Sequence, residues 1–259
     1  GGDLRFMDAD RTRELPYEIE MWNRDGESHV WVKVPELAGT NTSIWALWGL
    51  DSMTNPPAYT TNGATWNTNY LGVWHLGAPA AGVFQDATAY TNHGADVNTA
   101  VGGGVVGDAV NLAGTCNINL TGLTSLKQFY TFEFLVRSWE YSTGDYLFDS
   151  QSGRLIFAFN RPAAGQVGYY ENNTWRDSAG SGLNDDQWHH VVYALNAQSN
   201  TCVVYVDGVQ AGSLAYAFPR NIGGAVRIGS VYDGTGQHYD GLMDEFRLST
   251  MVRSADWIA

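Results

Sequence analysis

The chain has 259 residues, a formal net charge of −13 and only 14 Lys and Arg, of which Lys33 and Lys127 are the two lysines. That length suffices for one large domain or two smaller ones with a sizeable core. So acidic a chain offers no basic face to nucleic acid or to anionic membranes, and no apolar run is long enough for membrane insertion; neutral glycans, cations or another surface protein fit better, unless the acidity serves only solubility.

Aromatics at 13%, 30 glycines and 16% charged residues suit short strands joined by turns. Helical periodicity is missing throughout, so the fold class expected is all-β. Strand-like runs come early, DLRF at 3–6, ELPYEIE at 14–20, VWVKV at 30–34 and IWALW at 44–48. They predict a small β-meander of about four strands over 1–51. Residues 52–69 are rich in Thr, Asn and Pro, with Pro56-Pro57 and Asn62-Gly63, and read as a stiff linker. A larger domain then spans 70–259, with strands predicted at 70–76, 109–112, 129–137, 146–148, 155–159 and 167–170. Phe132, Phe134 and Val136 share one face of the strand at 129–137. Strands so spaced, separated by Gly, Asn and Asp, argue for a two-sheet sandwich.

The last third is the most informative. WHHVVY at 188–193 reads as a strand, and CVVYVDGV at 202–209 as a strand closed by a tight Asp207-Gly208 turn. In GLMDEFRL at 241–248, simple alternation places Leu242, Asp244, Phe246 and Leu248 on one face. Asp244 is then a carboxylate on an apolar face, which needs a partner or a metal. The three phrases, in this order, resemble the laminin-G-like, concanavalin A-like jelly-roll family, over about Tyr70 to Ile258. DLRFMD at 3–8, ELPYEIEMW at 14–22, VWVKVP at 30–35 and IWALWG at 44–49 resemble the bacterial domain of unknown function 2341. The resemblance implies a partial copy of that small domain ahead of a jelly roll. Gly1-Gly2-Asp3 reads as the interior of a longer secreted or cell-surface bacterial polypeptide.

DATAYTNHG at 86–94 resembles a loop that holds calcium in the jelly-roll family. The resemblance implies a structural calcium ion held by Asp86, Asn92 and Asp244, tying the start of the domain to its end. The alternative is that Asp86 caps a turn and Asp244 pairs with an arginine. His75, between Trp74 and Leu76, reads as a structural histidine with a hydrogen-bond partner. Cys116 and Cys202 are expected to be bonded to each other or both buried.

Catalysis finds little support. Jelly-roll glycosidases place their carboxylates as E-x-D-x-E on one strand, and this spacing does not occur. Asp244-Glu245 and His189-His190 are adjacent and point opposite ways, and no nucleophile elbow or C-x-x-C is found. The expectation is a non-catalytic recognition module for glycan or a surface protein, with a structural spacer and an unrecognised polysaccharide-active enzyme as alternatives. Aromatics in loop-like stretches are the candidate ligand contacts: Trp139, Tyr141, Tyr170, Trp175, Tyr232, His238 and Tyr239. Trp175 leads, because ENNTWRD at 171–177 is polar around it. The competing role for each is core filling.

Overall fold

The structure is a computed structural model that describes every residue except 38, 141–143, 162, 172–173, 177–178 and 216–219. The chain divides into two compact units, Gly1–Thr68 with Ala87–Tyr90, and Asn69–Asp86 with Thr91–Ala259. Among the described residues, no helix is long and apolar enough to cross a membrane.

The first unit holds a three-stranded sheet, in the order Glu14–Leu15, Arg5–Met7, Trp45–Leu47, and a separate pair, Tyr17–Met21 with His29–Val32. Residues 52–68 belong to this unit and are not a separate linker. Their aromatic side chains explain why. Tyr17 is fully buried, with rings of Phe6 at 5.2 Å and Tyr59 at 5.5 Å. Trp66 lies 5.8 Å from Trp31. The polar composition that suggested a linker surrounds two rings that have somewhere to be buried.

The second unit is a sandwich of two antiparallel eight-stranded sheets. The first sheet runs Val209–Ala215, Thr201–Val206, Trp188–Asn196, Phe129–Arg137, Leu242–Ser249, Asp108–Asn111, Ala100–Gly103, and Tyr70–Trp74 also pairs with Leu242–Ser249. The second runs Thr174–Trp175, Val167–Glu171, Leu155–Phe159, Asp145–Ser150, Val226–Ile228, Asn117–Asn119, Gly94–Val97, Val83–Phe84. The two inner faces enclose a core rich in aromatics: Trp74, Phe132, Phe134, Phe148, Phe157, Tyr193 and Phe246 are all fully buried. The Asp207-Gly208 turn is as expected. Both residues have positive φ (51° and 77°), and the flanking Val206 and Val209 pair directly.

Alternation fails in the last strand. The pairing with Phe129–Arg137 shifts register between Leu135↔Asp244 and Glu133↔Arg247, and Glu245 has φ +51°. This β-bulge inserts one residue and reverses the faces. Met243, Phe246 and Leu248 lie in the core, while Asp244 pairs with Leu135 on the outer face. The apolar face read for Asp244 is therefore not its face. Beyond the bulge, Glu245 accepts from Arg247 Nη2 at 2.7 Å and lies 2.7 Å from His75 Nδ1, the partner expected for that histidine. The same outer face is covered by the C-terminal segment, with Ile258 packed on Val192, Ala194 and Tyr205.

Cys202 is buried and Cys116 half-buried, and the two are not joined in a disulfide. The Cys116 thiol, at the turn before Asn117–Asn119, donates to the Asn98 carbonyl at 2.8 Å. The expectation of a bond or of two buried thiols is corrected on both counts.

Candidate functional site

A second bulge builds the outer face of the second sheet. In Asp145–Ser150 the register jumps from Tyr146↔Ala158 to Phe148↔Phe157. Leu147 and Phe148 therefore both enter the core, and Tyr146 and Asp149 both end on the outer face. Paired residues of an antiparallel sheet share a face. One row thus runs across the sheet through Trp175, Tyr170, Ile156, Asp149, Arg227 and Asn119.

The rings of this face cluster at one end. Tyr170 and Trp175 lie 5.1 Å apart at 59°, and Tyr146 and Trp175 6.1 Å apart at 62°. All three are half-buried, so each keeps surface open to a partner. The Arg161 guanidinium lies over Trp175, 4.4 Å from the ring centroid. Tyr232 is also half-buried, 4.8 Å from the Arg154 guanidinium, which is itself 5.9 Å from Tyr170. Arg154 follows Gly153 in a left-handed turn, with φ of +48° and +73°. A non-glycine residue in that region is uncommon and marks a position fixed by its surroundings.

Asp149 lies within the face, fully buried. Its Oδ2 accepts from the Tyr232 N–H at 3.0 Å and from Arg154 Nη1 at 3.3 Å. Its Oδ1 is buried with no hydrogen-bond partner. Burial pushes this carboxyl from the ordinary 3.8 to about 6, against the pull of Arg154 and the Tyr232 N–H. Between those values the folded chain keeps a proton that the unfolded chain has released. Stability therefore falls as pH rises through the window, and the loss is complete above about 6. Burial also raises Asp244 to about 6 and Glu133 to about 7, which adds to the same slope, so Asp149→Asn is expected to flatten it in part. Urea midpoints measured from about pH 4 to 7 check it, and an unchanged slope would show that the other groups alone titrate there.

Of the aromatic candidates, Trp175, Tyr170 and Tyr232 come together on this face. Trp139 is 39% exposed but follows Phe129–Arg137 of the other sheet. Tyr239 is fully buried, with its ring 5.8 Å from Phe159. Its glycine-rich surroundings suggested a loop, but the segment packs against the core and Tyr239 has no surface to offer. His238 is half-buried, its Nδ1 3.4 Å from the Cys116 carbonyl. Tyr141, and Asn172, Asn173 and Asp177 around Trp175, lie outside the described residues. Tyr146, Asp149, Arg154 and Arg161 were missed in sequence. Arg154 and Arg161 lie just outside the strand run read at 155–159, and alternation gives no mark for the bulge that places the other two.

The residues implied for calcium divide into two groups. Asp86 accepts from Val73 N–H at 3.0 Å and Asn92 N–H at 2.8 Å. Asn92 donates its amide to the Leu71 carbonyl, and its own carbonyl accepts the Trp74 indole. Asp244 instead accepts from Val105 and Val106 N–H at 2.8 and 3.0 Å, and its Oδ1 is buried without a partner. These hydrogen bonds of Asp86 and Asp244 share no residue. Calcium takes six to eight oxygens, and the hydrogen bonds that orient Asp86 and Asn92 tie them to 71–74, whereas those of Asp244 tie it to the 105–106 turn. The trio does not fit a common calcium cage. Asp86 has the turn-organising role, and Asp244 pairs with backbone rather than arginine. Calcium-loaded and chelated protein are expected to melt together; a rise in melting temperature with calcium would restore the ion.

His189 meets Asp207 at 2.8 Å and Asp185 at 3.1 Å with its two ring nitrogens, leaving neither for a serine. Asp244 and Glu245 diverge, one to the 105–106 turn and the other to His75 and Arg247.

Two packed antiparallel sheets with an aromatic outer face define a lectin-like jelly roll. The chain belongs to the concanavalin A-like lectin/glucanases superfamily, whose model matches residues 112–259, and residues 1–65 match the domain of unknown function (DUF2341). Among solved structures it is similar to domain 4 of AbnA, an extracellular arabinanase from Geobacillus stearothermophilus, in complex with arabinotriose. The TM-score is 0.59 at 18% identity, covering 73% of this chain and 96% of that one. It is also similar to the botulinum neurotoxin serotype D binding domain (TM-score 0.55, 12% identity, 75% and 50% covered). A third likeness is to a Trypanosoma rangeli sialidase (TM-score 0.54, 15% identity, 74% and 32% covered). At these identities the likeness is one of fold, and the chain spans only half or less of the last two. No curated protein matches the chain.

Proposed function

We propose that the second unit is a non-catalytic glycan-recognition module of a secreted or cell-surface bacterial protein. The carrying observation is the half-exposed cluster of Tyr146, Tyr170 and Trp175 beside Arg154 and Asp149. Sugar rings present apolar C–H faces that lie against aromatic rings, and their hydroxyls pair with charged and amide groups. Asp149 is fully buried beneath the face and supports it indirectly, its Oδ2 holding Arg154 and the Tyr232 N–H. The arabinotriose held by the AbnA domain shows that a domain of this fold takes a sugar chain. A glycan array probed with the intact chain tests the reading. Binding to a defined set of oligosaccharides, weakened when Tyr146 and Tyr170 are both replaced by alanine, is expected. No binding to any glycan would favour the spacer reading instead, and turnover of a bound polysaccharide would favour an enzyme.

A further inference from the structure

Three arginines stand on the outer face of the second sheet, in a chain whose net charge is −13. Their partners differ. Arg154 faces the Asp149 carboxylate at 3.3 Å. Arg227 is held by neutral oxygens, Asn117 Oδ1 at 2.7 Å and the Tyr232 carbonyl at 3.2 Å, with Asp233 near enough to favour its charge. Arg161 meets no carboxylate among the described residues and instead lies on Trp175. Among the described residues, with Asp149 and Asp233 counted, three positive groups face two negative ones. The surplus lies at the aromatic end, with Arg161.

Stacking holds a guanidinium in place through its face, and its N–H groups point outward in the plane. That leaves the planar fork available. The fork matches a carboxylate, which accepts two parallel charge-assisted hydrogen bonds. A neutral sugar has no group that uses this geometry, and an arginine without a carboxylate partner is a poor choice for a purely neutral ligand.

We infer that the glycan taken by this face is acidic, carrying a sugar carboxylate that Arg161 receives while its ring lies against Tyr146, Tyr170 and Trp175. This rests on the glycan reading above and names the chemistry of that ligand. A uronic acid and a sialic acid offer the same group, and the arms of the experiment separate them.

The probes are glucuronate- and galacturonate-containing oligosaccharides, a sialyl-oligosaccharide, and the carboxyl-reduced form of each, titrated calorimetrically into the intact protein. One acidic series is expected to bind at least about tenfold tighter than its reduced form. Arg161→Gln is expected to erase that difference, bringing the acidic and reduced forms to one affinity. Arg161→Lys is expected to restore only part of it, because a lysine lacks the fork. Arg161 is half-exposed, so an unchanged melting temperature will certify the fold of each variant. Equal affinity for acidic and reduced forms would overturn the inference and leave the glycan reading standing. So would a preference that survives in Arg161→Gln. Failure of every oligosaccharide, acidic or neutral, would overturn the glycan reading itself.

Discussion

Phe246→Ala is expected to destabilise the second unit by about 3–5 kcal/mol, the largest single effect in the sandwich. Its ring is fully buried and stacked on Trp74 at 5.0 Å and on Phe134 at 4.8 Å, with interplanar angles of 11° and 15°. Phe148 lies a further 6.0 Å away, from the opposite sheet. Removing the ring therefore leaves a cavity bounded by both sheets, and stiff aromatic walls do not collapse into it. Domains hold only about 5–15 kcal/mol in total, so the variant should stand near the edge of folding. Urea unfolding checks this. A loss under about 1 kcal/mol would mean that the core repacks around the gap. Phe246→Leu fills most of the volume and is expected to lose much less.

The second large effect is on binding. Trp175→Ala is expected to weaken the strongest glycan found on the array by about 30-fold, the scale of an aromatic hot spot. Two contacts go at once, since Trp175 packs on Tyr170 and carries the Arg161 guanidinium. Stability should change little. Thr174–Trp175 is a two-residue strand at the sheet edge, and the ring is only half-buried. Affinity lost together with melting temperature would instead make Trp175 a structural residue. Affinity unchanged would remove it from the site.

The sequence made the two-sheet sandwich and many of its strands legible because those signals are local. Phe132, Phe134 and Val136 alternate, and Asp207-Gly208 announces its own turn. Two bulges were not legible. Each adds one residue, and alternation has no mark for it. The bulge at Glu245 turned Asp244 away from the face where simple counting put it. The bulge in Asp145–Ser150 did the reverse service for Asp149, which lies just past the strand read at 146–148. The rest of the face is non-local. Tyr146, Arg154, Arg161, Tyr170, Trp175 and Tyr232 come from six separate strands or turns, and only pairing across the sheet brings them together. Trp175 could be picked out because its neighbours are polar. A loop-like setting alone misled for Tyr239, whose segment packs against the core.

The central claim is that one face of the second sheet takes the ligand. Proton–nitrogen correlation spectra, recorded during titration with the array's strongest glycan, test it most directly. The chain has 10 tryptophans, each with its own indole signal. The Trp175 indole should shift, along with the backbone amides of Tyr146, Asp149, Tyr170 and Tyr232, while Trp74 in the core stays unmoved. Shifts centred on Trp139 or on strand Val209–Ala215 of the first sheet, with Trp175 silent, would contradict the account.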